Sequence, residues 1–236
     1  YKSNKQYTPI LSNLPSRLMS ESYEVLDESE GKLILNKEGV SIPRFVCSSS
    51  FSELLDLVKL NKLKYPLVIK GQGESHKTER GMVILNVKKN SDLIRIGKQM
   101  FSKTNNVIVE EMVTDCVLEL CVAVVKDTTG MFLLSIRQGG LHTELFEERA
   151  DLLLPIKRNE ILTELKTLKV AELLYGYRNT PTVAREKLVS AIQAIANFSI
   201  KNASNIFELE VNPLIVGTKD SVAVDVLLTR KRRELK

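Results

Sequence analysis

Much that would place a sequence at once is missing here. No apolar run approaches the ~20 residues that a membrane helix needs, so none of the 236 residues reads as a spanning segment. The polar N-terminal stretch lacks the apolar centre of a signal peptide. Cysteine is scarce: Cys47, Cys116 and Cys121 are odd in number and show no metal spacing. They read as reduced thiols, and the chain as a cytoplasmic protein. Aromatic residues are only 6% of the chain, and no DNA- or RNA-binding motif accompanies them. The net charge of +5 is therefore not read as a nucleic-acid footprint; anionic nucleotides and coenzyme A are sufficient reason for it. The basic run Arg230 to Arg233 reads as a solvated terminus. Neither a G-x-x-x-x-G-K-[ST] phosphate loop nor a Rossmann G-x-G-x-x-G occurs. There is no internal repeat and no low-complexity tract.

What is present is the composition of a globular protein, 43% hydrophobic and 27% charged, on a chain long enough for one large domain or two lobes. Residues 1–17, with Pro9 and Pro15 among polar neighbours, read as a loose arm. The pattern then predicts a helix over 20–38 stopped by Gly39, a short extended segment at Ile42 to Val46, and a helix opened by a Ser50–Glu53 capping box. Apolar strands follow at Leu67 to Ile69, Met82 to Val87 and Val107 to Val109, with a helix capped by Ser91 before the last of these. Glu119 to Val125 and Gly130 to Ile136 form a predicted hairpin. Residues 144–180 mix short helices and turns, and 183–200 have strong helical spacing. Ile206 to Glu210 is a predicted strand, Asn212-Pro213 a turn, and Ser221 to Leu227 a last strand. Helices alternate with strands early and hairpins enter later. That is a mixed α/β (α+β) chain, with two lobes expected to meet at a cleft.

The chemistry gathers at strand ends. Lys70 ends the apolar strand Leu67-Val68-Ile69, and the polar loop after it holds Gly71, Gly73, His76 and Gly81. Glycines let backbone amides face a ligand, a lysine suits phosphate, and a histidine can carry a proton or a phosphoryl group. An ordinary hairpin with a solvated loop is the plain alternative. Glu110 and Glu111 end another strand, and Glu210-Val211-Asn212 a third. Asp225 lies inside an apolar strand, where a carboxylate needs a partner or a metal. Glu210, Asn212 and Asp225 carry the hard oxygens that Mg²⁺ accepts beside phosphate and water. Taken alone, Asp225 reads more simply as the partner of a neighbouring lysine.

Together these pieces resemble a family. They are Leu26-Asp27-Glu28-Ser29-Glu30-Gly31-Lys32 with Gly39 to Pro43; Tyr65 to Lys70; His76-Lys77-Thr78-Glu79 with Gly81 to Val87; Val109 to Val113; Glu119; Gly139-Gly140 with Glu144; Glu208 to Val216; and Val222 to Asp225. Their order and spacing are similar to the ATP-grasp subunit of NDP-forming acyl-CoA synthetases, in particular the small β subunit of ADP-forming acetate–CoA ligase. The resemblance covers residues 20–228. It implies an ATP-grasp fold over 18–236, with an N-terminal lobe over about 18–106 and a C-terminal lobe over about 107–236.

The activity it implies interconverts acyl-CoA, ADP and phosphate with acid, CoA and ATP through phosphohistidines, with ATP/ADP and Mg²⁺ as cofactors. His76 matches the histidine that carries the phosphoryl group to ADP, and Glu210 the residue that orients it. Lys70 would sit on the nucleotide phosphates, the backbone of Glu110, Glu111, Met112 and Val113 on adenine, and Glu119 on the ribose. Asn212 and Asp225 would hold Mg²⁺. The loop from Lys70 to His76 is shorter than in family members, Arg80-Gly81 stands where Gly-Gly is common, and His142 matches no family site. A CoA site is expected on a partner chain or a missing segment, the partner being an α subunit in a hetero-oligomer such as α2β2; no membrane or nucleic-acid partner is expected. The alternative is a nucleotide-binding ATP-grasp module of a larger regulatory protein such as an acetyltransferase fusion. A third reading, a structural subunit without activity, is disfavoured by the joint presence of Lys70, His76, Glu210, Asn212 and Asp225.

Overall fold

Alternating apolar residues build two sheets, and helices at 3.6-residue spacing cover them. The computed structural model describes residues 23–72, 81–139 and 148–232. In chain order the elements are β1 (Tyr23–Val25), α1 (Glu28–Lys37), β2 (Phe45–Ser48), α2 (Phe51–Leu60), β3 (Leu67–Gly71), β4 (Val83–Val87), α3 (Asn90–Phe101), β5 (Val107–Glu111), β6 (Leu118–Lys126), β7 (Phe132–Gln138) and β8 (Arg149–Leu153). Then come α4 (Arg158–Leu165), α5 (Ala171–Leu174), α6 (Arg185–Lys201), β9 (Ile206–Val216), β10 (Ser221–Ala223) and β11 (Val226–Lys231). Among these no helix is long and apolar enough to cross a membrane.

A four-stranded antiparallel sheet runs in the order β2-β5-β3-β4. Leu67 and Ile69 of β3 and Val107 and Val109 of β5 join Leu54, Val58, Leu93 and Met100 from α2 and α3 in one core. Successive strand residues point to opposite faces, so Val68, Lys70, Ile108 and Glu110 share the other face. They are buried as well, which is why β3 reads as a continuous run.

The second sheet is seven-stranded, in the order β1-β11-β9-β6-β7-β8, with β10 also paired to β9. Leu120, Val122, Val124, Leu134, Ile136, Leu209 and Val211 pack with Leu188, Ile192 and Ile195 of α6 and Ile161 and Leu165 of α4. Each such side chain contributes about 1.5–3 kcal/mol by burial, so this face fixes the register. The opposite face is polar, and Glu119, Cys121, Arg137, Glu208 and Glu210 stand on it by alternation along β6, β7 and β9.

Several expectations need correction. The helix expected over 20–38 is a strand and a shorter helix, because Tyr23 to Val25 pairs with Thr229 to Lys231 and Tyr23 packs its ring 5.2 Å from that of Phe207. Ser50 does precede α2, but Glu53 accepts from the Ser48 hydroxyl rather than closing a box. Helix α3 begins at Asn90, ahead of the expected Ser91 cap. Strand β8 stands within 144–180, where short helices and turns were expected.

Asn212-Pro213 is not a turn. Both residues lie inside β9, where the register with β6 shifts between Leu120 and Val122, and a bulge tolerates the missing proline N–H. The expected last strand is two, β10 and β11, divided at Val224 and Asp225. The sheets also divide the chain elsewhere than at 106/107. Strand β5 pairs with β2 and β3 in the small sheet, while β1 pairs with β11 in the large one.

Candidate nucleotide site at the joint between the sheets

Helix α1 connects the two sheets. Gly31 lies against Val226 of β11, and Leu35 enters the large core. Its remaining buried stripe is charged, with Glu28 and Lys32 one turn apart. They meet Lys70 of β3 and Glu110 of β5. Lys32 Nζ lies 2.7 Å from Glu28 Oε1 and also pairs with Glu110 Oε2. Lys70 Nζ lies 2.9 Å from Glu28 Oε1 and 2.9 Å from Glu110 Oε1. None of the four side chains is more than 5% exposed. Each ion has opposite charge on two sides, which is what makes its burial tolerable.

Lys70 also donates to the Val224 carbonyl, in the break between β10 and β11 of the large sheet. Burial pulls its ammonium down, but Glu110, Glu28 and Asp225 outweigh that and hold it well above the usual lysine range. Lys70 is therefore a permanent cation at the joint, with Asp225 within electrostatic reach.

Asp225 and Asn212 face each other across the division between β10 and β11, where the Asn212 amide donates to the Asp225 carbonyl at 3.1 Å. The Asn212 side-chain amide donates to Glu210 Oε1 at 3.4 Å. Glu210 Oε2 accepts from Arg137 Nη2 at 3.5 Å. Lys70 is thus linked to Asp225 by charge, Asp225 to Asn212 through the backbone, and Asn212 to Glu210 through side chains. Among the described residues no three or more His, Cys, Asp or Glu side chains converge as a metal cage. Asn212 and Asp225 are hard oxygen donors of the kind a Mg²⁺ ion takes alongside phosphate and water.

The segment expected to meet adenine is partly engaged elsewhere. Glu110 sits in an interior strand between Phe45 and Val68, and its side chain belongs to the ion cluster. The Glu111 amide donates to the Arg44 carbonyl and the Met112 amide to the Pro66 carbonyl, both at 2.9 Å. The Glu111 carboxylate accepts from Arg44 Nη1 at 3.1 Å and from the Lys64 amide at 2.9 Å. Val113 follows, half-buried, in the connection between the sheets. Glu119 stands half-buried on β6, its carbonyl taken by the Gly139 amide at 2.8 Å. His76 and His142 lie outside the described residues.

Sequence reasoning missed Glu28 and Lys32 as site residues, quoting both only as part of the resemblance, and missed Arg137 and Gln72. Gln72 is buried at the last described position before 73–80. It donates to Ser29 Oγ at 3.2 Å, and its carbonyl accepts from Thr104 Oγ1 at 3.0 Å. Arg137 could have been noticed as a charge in an apolar hairpin strand. All three cysteines are free; burial first, and then the Glu210 charge, push the Cys121 thiol up to about 12, so it stays protonated at neutral pH.

Residues 17–229 match the family described as ATP-grasp domain. The chain belongs to the ATP-grasp family. Among its relatives it is 23% identical, over 89% of its length, to the ADP-forming acetate–CoA ligase II of Archaeoglobus fulgidus, of which it spans 31%. It is also 23% identical, over 85% of its length, to the beta subunit of the ADP-forming acetate–CoA ligase I of Pyrococcus furiosus, of which it spans 89%. The ATP-grasp fold is seen again in the dinucleotide-forming acetyl-coenzyme A synthetase 1 of Ca. Korarchaeum cryptofilum, solved with coenzyme A and Mg-AMPPCP and with its phosphohistidine segment pointing towards the nucleotide binding site. That similarity has a TM-score of 0.73 at 21% identity, over 87% of this chain and 92% of the other.

Proposed function

We propose that this ATP-grasp chain is the β-type part of an ADP-forming acyl-CoA synthetase of the acetate–CoA ligase kind. The reaction interconverts acyl-CoA, ADP and phosphate with acid, CoA and ATP through a phosphohistidine relay. The observation that carries the reading is that Lys70 of the small sheet donates to the Val224 carbonyl and lies within electrostatic reach of Asp225, whose backbone pairs with Asn212 of the large sheet. A fixed cation opposite hard oxygen donors is what nucleotide phosphates require, and phosphoryl transfer asks of a protein chiefly position and charge. The names of the two relatives support the reaction, and they do not favour an acetyltransferase module.

In this reading Lys70 takes a phosphate oxygen. Asn212 and Asp225 would hold Mg²⁺, which would supply positive charge to the phosphates. Met112 and Val113 offer backbone to adenine, with Glu110 and Glu111 at the end of β5 leading into them. Glu119 reaches the ribose. His76 carries the phosphoryl group, and Glu210, held by Arg137 and Asn212, orients it. CoA and the acid bind on a partner, an α subunit in a hetero-oligomer; the match to a beta subunit supports this.

The test is co-expression with a CoA-binding α subunit and an assay of acyl-CoA-driven ATP synthesis. Wild type should turn over only with the partner. His76→Ala should abolish turnover and lose an acid-labile phosphohistidine, with Mg-ADP affinity nearly unchanged. Near-normal turnover in the variant would overturn the relay through this chain.

A further inference from the structure

An ammonium has three N–H donors, and Lys70 aims all of them at protein. Glu28 Oε1 and Glu110 Oε1 each accept at 2.9 Å, and the Val224 carbonyl accepts the third. A phosphate oxygen can reach Lys70 only by displacing one of these acceptors. If Lys70 turns towards phosphate, two buried carboxylates lose part of their compensation, and an uncompensated buried charge is strongly destabilising. Lys32 is placed to prevent that. It touches both carboxylates, at Glu28 Oε1 and Glu110 Oε2, it is fully buried, and its ammonium stands over the Phe45 ring, 5.8 Å from the centroid.

We propose that Lys32 and Glu28 are positioning residues for nucleotide binding: Lys32 keeps the two glutamates compensated while Lys70 exchanges a protein oxygen for a phosphate oxygen, and Glu28 sets how firmly Lys70 is held back. The proposal rests on the reading that Lys70 meets the nucleotide phosphates. The cluster holds two lysines and two glutamates and is neutral as a unit. Without Lys32 the cluster carries a net negative charge, Lys70 alone of its two cations is left between both carboxylates, and an incoming phosphate is repelled. Without the Glu28 charge the balance is positive and Lys70 loses one of its two anchors. The two substitutions therefore move nucleotide affinity in opposite directions, although both remove buried ion pairs and both lower stability.

The experiment measures Mg-ADP binding to the full-length protein by calorimetry, with Tm recorded for every variant. Lys32→Met is expected to raise Kd on the order of tenfold, the size of coupling between groups in one ionic network. Glu28→Gln is expected to lower Kd a few-fold despite a lower Tm. The Lys32→Met/Glu28→Gln pair, neutral again, should bind closer to wild type than Lys32→Met does. A purely architectural joint would instead weaken binding in both single variants and weaken it further in the pair, and that result overturns the proposal. If Lys32→Met does not fold, the sign of the Glu28→Gln effect decides alone: tighter Mg-ADP supports the proposal, unchanged or weaker Mg-ADP overturns it. Unchanged binding in Lys70→Met would overturn the phosphate reading itself, and this outcome is separate from the other two.

Discussion

Glu208 is 2% exposed on β9, and its Oε2 has no hydrogen-bond partner among the described residues. Burial first, and then the charge of Glu210, push its carboxyl from an ordinary 4.5 up to about 7. A carboxyl raised in this way binds more protons in the folded than in the unfolded chain between those values. Stability from this group is therefore complete below 4.5 and is lost as pH rises through about 7. The cost of ionising it in place is on the order of 3 kcal/mol. Glu208→Gln should melt higher than wild type at about pH 8, and the gain should disappear at about pH 4; equal gains at both would show that Glu208 does not titrate on folding. Asp225 allows a second test. Asp225→Asn should weaken Mg-nucleotide binding on the order of tenfold or more by calorimetry, and wild-type affinity would sink the metal assignment. Asp225 was singled out because a carboxylate in an apolar stretch asks for a reason, whereas Glu208 entered only as part of the resemblance. Glu28 and Lys32 were harder to read. A Glu–Lys pair one turn apart is the ordinary pattern of a solvated helix face, and only the pairing with Glu110, 78 residues from Lys32, shows that this face is buried.

Elements were read well where periodicity decided them and poorly where a distant partner did. Helix α6 and the β6–β7 hairpin follow from their apolar spacing. The stretch before α1 does not, since Tyr23 and Val25 become a strand only by pairing with β11 at the far end of the described chain. Asn212-Pro213 reads locally as a turn, and only the bulge against β6 keeps it in β9. The end of β7 carries a constraint that composition also conceals. A Cβ added to Gly139 would stand 2.5 Å from the Leu120 carbonyl carbon and 2.9 Å from the Cys121 nitrogen. Backbone cannot yield as a side-chain tip can. Gly139→Ala should therefore destabilise the chain by ~1–3 kcal/mol, as overpacking does, in denaturant unfolding. It should also disturb Glu119, whose carbonyl the Gly139 amide holds. A midpoint within error of wild type would mean that β6 and β7 separate there freely.

At the scale of the whole molecule, two hydrophobic cores share no residue, and the ion cluster of Glu28, Lys32, Lys70 and Glu110 is one of the links between them. The connection from β5 to β6 is another. Asp115 on it accepts from the Thr218 amide at 2.9 Å and from the Thr218 hydroxyl at 3.0 Å. Helices early and hairpins late predicted two lobes; the structure has two sheets, and they do not part at 106/107. Strand β5 looks like the start of the second lobe in sequence, and its hydrogen bonds return it to the first. That return places Glu110 opposite α1 and makes the joint ionic. The arrangement has a mechanical consequence. Glu110 pairs with both lysines, and breaking a buried pair from one side costs ~3–5 kcal/mol. In Glu110→Gln the loss should fall mainly on the small sheet, whose core is the smaller and rests on α1 through this cluster. Opening free energies differ between parts of one fold, and amide hydrogen exchange reads them separately. Amides of β3 and β5 should exchange faster in Glu110→Gln, while those of α6 and β9 keep wild-type rates. Acceleration spread evenly over both sheets would mean that the two cores open as one unit, and that the cluster is not a joint between separable parts.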